Sequence, residues 1–427
     1  MKIETYENSN FKSISVKKST PVVSLLISAD CFTENTTLRK VIFFLYTDLL
    51  FAGAGKYSRE DFIYALKEIG VDLSVKEKGS RVTVLVQTLE KNLNKTLKLL
   101  EVMLLSPTFN ESELERAVST AKNGLVQYQD NARALAQDGL CRLLYTENDR
   151  NHNFTPELLK EALDKVTVDD LRSLHREFLS TFWLFSVGGE EAPVNKSLDF
   201  IKKIKKSEPE TSPKEVVSDP RFFTGKKLDL QNVPSKQNVE LSIGGPVPLT
   251  LADDDLPAFI FGLAVLGKWG GFSGRLMSTV REQEGLTYGI YAKTEAVTKN
   301  ENGYWRIMTF FSPKDTVKGI NSTLREIKKI REKGITVSEW ERFKVILKTQ
   351  ETLAKDSLAG TVTLMHSVLT AGLSLEEYKN YSEKLYTCSR KSVNEALKKY
   401  LNPDNLVISA AGPVEQIKKD LKGIVSK

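Results

Sequence analysis

Histidine and cysteine are scarce in this chain, with three of each in 427 residues. Cys31, Cys141 and Cys388 are widely separated and form no CxxC, which excludes zinc ribbons, iron–sulfur motifs and a disulfide framework. His152, His175 and His366 are equally dispersed, so no histidine pair can hold a metal from one turn of helix to the next. Long apolar runs are missing too. The longest, Val41 to Ala54, is broken by Thr47-Asp48 and falls short of the ~20 residues that span a bilayer. The first residues, Met1-Lys2-Ile3-Glu4-Thr5-Tyr6-Glu7, lack the apolar core of a secretory signal. Lysine and arginine total 61 against 55 acidic residues, but nowhere do five basic residues run together, so a nucleic-acid footprint is unsupported. A soluble protein of a reducing compartment, taken as cytoplasmic, is expected.

What is present is ample core material, with 41% hydrophobic residues. A chain of this length exceeds the ~100–200 residues of an ordinary domain. A polar, proline-punctuated stretch from Lys205 to Lys214 interrupts it near the midpoint. The arms on either side repeat one order of features. Each opens on an alternating strand, Val23–Ser28 and Val239–Ile243. An apolar segment follows and ends in small residues, Leu50-Phe51-Ala52-Gly53-Ala54-Gly55 in one arm and Trp269-Gly270-Gly271-Phe272-Ser273-Gly274 in the other. A second strand comes next (Arg81–Val86; Trp305–Phe310), then a helix opening on Ser112-Glu113-Leu114-Glu115-Arg116 or Ser338-Glu339-Trp340-Glu341-Arg342. Both arms close on a strand running into glycine, ending at Gly188 and Gly412. Ser58-Arg59-Glu60-Asp61 and Thr336-Val337-Ser338-Glu339 fit capping boxes. Leu93, Leu97, Leu100 and Leu104 form a helical stripe. The expectation is an α+β fold of two tandem homologous domains, 1–206 and 222–427 joined by a linker at 207–221. Each is a mostly antiparallel sheet with helices on one face.

The duplicated arms, the Leu-Phe-x-Gly corner and Gly270-Gly271-Phe272-Ser273-Gly274-Arg275-Leu276 followed by Thr279-Val280-Arg281-Glu282-Gln283-Glu284-Gly285-Leu286-Thr287-Tyr288 resemble the insulinase/pitrilysin-type metallopeptidases. The resemblance covers about residues 10 to 425. It implies a catalytic zinc held by an inverted H-x-x-E-H on a first-arm helix, whose glutamate is the general base, and by a later glutamate. Aligned on the corner, those positions carry Phe44, Thr47 and Asp48, and the later one falls at Gly124. All four ligand and base positions are changed, so no metal is expected in this chain; a lone Asp48 reads as solvated or capping.

The resemblance also implies roles for what is retained. Arg281 and Tyr288 match an arginine and a tyrosine that bind the substrate carbonyl and stabilise the charge developing on it, a donor pair favouring the transition state. The plain alternative is a surface Arg281 paired with Glu282 or Glu284 and an ordinary strand-opening Tyr288. Gly270, Gly271, Ser273 and Arg275 would form a substrate-binding corner, where glycines let backbone approach a peptide. Gly274 stands where the family often has serine. The three histidines read as structural. The implied function is that of a zinc-free subunit lending Arg281 and Tyr288 to a partner of similar length that carries H-x-x-E-H and zinc, the two acting on an extended peptide. The alternatives are an assembly protein similar to the core proteins of the respiratory complex, and a peptide-binding homodimer that does not cleave.

Overall fold

Branched and aromatic residues alternating with small ones draw the first arm into a six-stranded sheet in the computed structural model, which describes residues 1–205, 218–268, 271 and 273–426. Its strands are β1 (Lys2–Glu7), β2 (Phe11–Lys17), β3 (Val22–Asp30), β6 (Asp72–Lys78), β7 (Arg81–Leu89) and β8 (Trp183–Gly189), in the order β1-β2-β8-β3-β7-β6. The two-residue β4 (Gly53–Ala54) and β5 (Tyr57–Ser58) form a separate hairpin at the small-residue corner. A five-stranded sheet holds β9 (Lys227–Asn232), β10 (Val239–Val247), β11 (Ile290–Glu295), β12 (Gly303–Phe311) and β13 (Val407–Gly412), in the order β11-β12-β10-β13-β9. With β1 set aside, the two sheets share one order and one hydrogen-bonding scheme. Each has a single parallel pair, β2 with β8 and β13 with β9, and is otherwise antiparallel. The duplication is therefore one of topology as well as of sequence order.

The helices start where their caps stand. Ser58 accepts from the Asp61 amide at 3.1 Å, and Thr336 and Glu339 cap each other reciprocally. The leucine stripe Leu93, Leu97, Leu100 and Leu104 is buried along the Leu93–Leu105 helix. In the second sheet the main helical layer packs on one face. Leu241 and Ile243 of β10, Trp305 and Ile307 of β12, and Ile408 and Ala410 of β13 share one core with Phe259, Leu266, Ile327 and Leu397 of the helices.

The opposite face is covered as well. Val407 and Ala411, which alternate with Ile408 and Ala410, pack against the Ala132–Leu144 helix, which comes from the first arm. By contact, the chain divides into two compact units interlaced in sequence. One comprises Met1–Gly124, Glu157–Val216 and Glu351–Ser374; the other comprises Leu125–Pro156, Val217–Gln350 and Leu375–Lys427. In the first unit the covering helix is Leu358–Thr370, from the second arm, lying against β8, β2 and β3. Each unit thus closes its sheet with one helix from the other arm's sequence. The expected linker at 207–221 lies largely outside the described residues. Of its last residues, Ser218 bonds Asp149 and Arg221 bonds the Tyr145 carbonyl, both within the second unit. Among the described residues no single helix is long and apolar enough to cross a membrane.

The close fit of the exchanged helix to the second sheet rests on Gly139. A Cβ there would overlap Asp229 Oδ2 and Ser409 Oγ, and Asp229 is itself tethered by Ser409 at 2.8 Å and Gln231 at 2.9 Å. Gly139→Leu is expected to cost about 3 kcal/mol by overpacking. Gly124, with nothing within 4 Å of a Cβ, should instead gain about 0.5–1 kcal/mol as alanine. Urea unfolding of the two variants checks the opposite signs.

Candidate functional site

The Thr37–Leu49 helix is capped by Thr36 and buries Val41, Ile42, Leu45, Tyr46 and Leu49. That periodicity turns Phe44, Thr47 and Asp48 away from the core. Phe44 is 54% exposed, and the Thr47 hydroxyl donates to the Phe44 carbonyl at 2.8 Å. Asp48 is half-exposed, and it is ion-paired rather than capping. It accepts from Arg59 at 3.0 and 3.2 Å and from Arg116 at 2.6 Å. Glu113 closes the ring, accepting from the Nε groups of Arg59 at 2.7 Å and Arg116 at 2.9 Å. Burial alone would raise both carboxyls, but the paired guanidinium bonds outweigh it and hold Asp48 and Glu113 below the ordinary carboxylate range. Two anions and two cations neutralise each other beside the exposed face of this helix. Gly124, on the same Glu111–Gln129 helix as Arg116, adds no donor atom. Among the described residues no three His, Cys, Asp or Glu side chains converge to hold a metal ion.

Arg59 and Arg116 were not recognisable from sequence as partners of Asp48, nor Glu113 as a partner of those arginines, but the repeat carried a signal. Glu113 and Glu339 are matched positions of the two arms, and each grips an arginine from the small-residue corner. Arg59 bonds Glu113; Arg275 bonds Glu339 in a fork at 2.6 and 2.7 Å and also donates to the Gly334 carbonyl at 2.8 Å. Arg275, expected at a substrate, has its guanidinium committed to this internal brace.

In the second unit, Gly274 has φ +120°, and a Cβ would press on the Gly267 backbone at 3.0 Å, so serine would be strained there. The chain then widens into a π-helical turn, Met277–Gln283, with Met277 and Val280 buried. Its register is set by Glu284 N to Thr279 O at 3.0 Å, and Gly285 at φ +64° ends it. Such one-turn expansions re-aim a side chain and recur at functional sites. Here the turn carries Arg281, whose guanidinium lies 5.3 Å from the centroid of the Tyr288 ring. Glu282 is 3.8 Å from Arg281, whereas Glu284 is held by Arg325. Tyr288 is 68% exposed. The structure thus brings Arg281 and Tyr288 together at the surface just before β11. Gly271 and Ser273 are half-buried in the corner, and Gly270 lies outside the described residues.

All three histidines are buried. His175 accepts from the Tyr46 hydroxyl at 2.8 Å and faces the Leu104 carbonyl at 3.1 Å. His366 sits between the Ser28 and Ser186 hydroxyls at 2.6 and 2.9 Å, joining its helix to β3 and β8.

Residues 14–157 match the model of insulinase (peptidase family M16), and residues 165–347 match that of the peptidase M16 inactive domain. The chain belongs to the insulinase family. Among its relatives is the non-peptidase homolog YmxG of Helicobacter pylori, 23% identical over 88% of this chain and 84% of that protein. The uncharacterized zinc protease YmxG of Bacillus subtilis is 24% identical over 72% of this chain and 73% of its own. A crystal structure described as a peptidase M16 inactive domain, from Pseudomonas fluorescens, superimposes with a TM-score of 0.83 at 19% identity. It covers 97% of this chain and 98% of that one.

Proposed function

We propose that this chain is the zinc-free subunit of a two-chain insulinase-type peptidase, working in the cytoplasm. Its contribution is Arg281 and Tyr288, presented to the zinc site of a partner that carries H-x-x-E-H. The observation that carries this reading is the pairing of Arg281, on the π-turn, with the 68% exposed Tyr288 that follows it, since a scaffold has no evident use for an unburied tyrosine stacked by a cation. A guanidinium and a phenol are both donors. Placed beside a peptide carbonyl, they favour the charge that develops on its oxygen when water adds. Asp48 is already paired with Arg59 and Arg116, and a lone carboxylate so paired is a poor ligand for a dication, which supports assigning the metal to the partner. The name non-peptidase homolog, borne by a relative, accords with a chain that does not cleave alone.

A purified chain should contain well under one zinc per molecule by metal analysis, and its complex with the partner about one per heterodimer. Stoichiometric zinc in the isolated chain would overturn the assignment. An assembly protein or a sequestering homodimer would also lack zinc, but neither would acquire hydrolytic activity on mixing with such a partner.

A further inference from the structure

In the second unit the last turn of the Thr316–Lys333 helix meets the first turns of the Arg390–Tyr400 helix around an open cavity of about 290 Å³. Five cations line it: Arg331, Lys333, Arg390, Lys391 and Lys398. Against Glu332 and Glu395 they leave a local excess of three positive charges. The cations are unequally engaged. Arg390 donates to the Ile335 carbonyl at 3.2 Å, and Lys391 is 3.9 Å from Glu395. Among the described residues Arg331, Lys333 and Lys398 make no ion pair. Arg331 Nε is moreover sealed from solvent with no hydrogen-bond partner, an arrangement that leaves a strong donor unmet. The floor is fixed: Gly334 closes the helix at φ +68° against Asn394, whose side chain also accepts from the Ile335 amide at 2.8 Å.

We infer that this cavity binds a compact anion bearing two or three adjacent phosphates. Its volume equals about ten water molecules, too short for an extended acidic peptide but enough for a phosphate chain. Guanidinium forks suit phosphate oxygens, and lysines add point charge. The site is independent of the Arg281–Tyr288 reading and involves none of its residues.

Calorimetric titration of the chain at low salt with inorganic triphosphate should give saturable one-to-one binding that weakens as salt rises. A parallel titration with a nucleoside triphosphate separates the sources: equal affinity means that only phosphates are read, and tighter binding means that the base is contacted too. Arg331→Gln combined with Lys398→Gln should raise Kd at least about tenfold. A double variant with the same charge change elsewhere, Lys418→Gln with Lys422→Gln, should stay within about twofold. Should the first double variant not fold, Lys398→Gln alone carries the test, with a smaller expected loss. The inference is overturned by an absence of saturable binding, by equal losses in both double variants, or by a glutamate peptide of matched charge binding as tightly as triphosphate.

Discussion

Arg281→Ala in the assembled two-chain enzyme is expected to lower kcat about 10²- to 10³-fold, with a smaller change in KM. That is the usual effect of losing one donor from a site where negative charge develops, about 3–4 kcal/mol of transition-state stabilisation. Arg281→Lys should rescue only part of the loss, because an ammonium cannot reproduce the planar fork that stacks 5.3 Å from the Tyr288 ring. Tyr288→Phe keeps that ring and removes only the hydroxyl, so its loss should be smaller, about tenfold or more. Tyr288→Phe should leave the melting of the isolated chain unchanged, since Tyr288 is exposed. Unchanged turnover in all three variants would place the catalytic contribution elsewhere.

The second large effect is acid sensitivity. Burial pushes the His366 imidazole down to about 3, with Arg81 adding to the shift, and burial pushes His175 down to about 4 against the opposing Leu104 carbonyl. Unfolded histidine titrates near 6.5. Between those values the unfolded chain binds the extra protons. Stability is therefore full above about pH 6.5 and is lost as pH falls toward 4 and 3. Each histidine contributes about 1.4 kcal/mol per pH unit, so at pH 5 the two together remove about 4 kcal/mol relative to pH 7. At pH 5 the arginine-held carboxylates Asp48, Glu113 and Glu339, all lowered in the fold, remain charged in both states and add little. His366→Gln, an uncharged side chain able to bond both Ser28 and Ser186, should narrow the difference between urea midpoints at pH 7 and pH 5 by about a third to a half, because His175 and His152, both lowered by burial, still contribute in the same direction. No difference in the wild-type protein would contradict the burial argument.

The surroundings of His366 are not legible in the sequence. Val23-Ser24-Leu25-Leu26-Ile27-Ser28 looks like a strand with one wet face, yet Ser24 and Ser28 are buried. The serine-bearing face is the one covered by the Leu358–Thr370 helix, and its polarity is answered by His366. Nothing local to β3 announces a partner 338 residues away. Gly139 is similar: a glycine inside a helical pattern, explained only by Asp229 and Ser409 of the second sheet. The order of the two arms was legible because strands, caps and glycine corners are local signals that a duplication copies. The expectation of four altered motif positions rests on the spacing that the family resemblance implies. Their replacement chemistry was not legible. That Asp48 is held by Arg59 and Arg116 depends on three separate elements meeting, and the match of Glu113 to Glu339 hinted at the brace without naming its arginines.

The measurement closest to the central claim is peptide hydrolysis by this chain, by a partner carrying H-x-x-E-H, and by their equimolar mixture, each assayed with zinc present. The account predicts negligible cleavage by this chain alone, turnover by the mixture well above that of the partner alone, and loss of that gain with Arg281→Ala. A mixture no more active than the partner, or one equally active with the Arg281 variant, would contradict it.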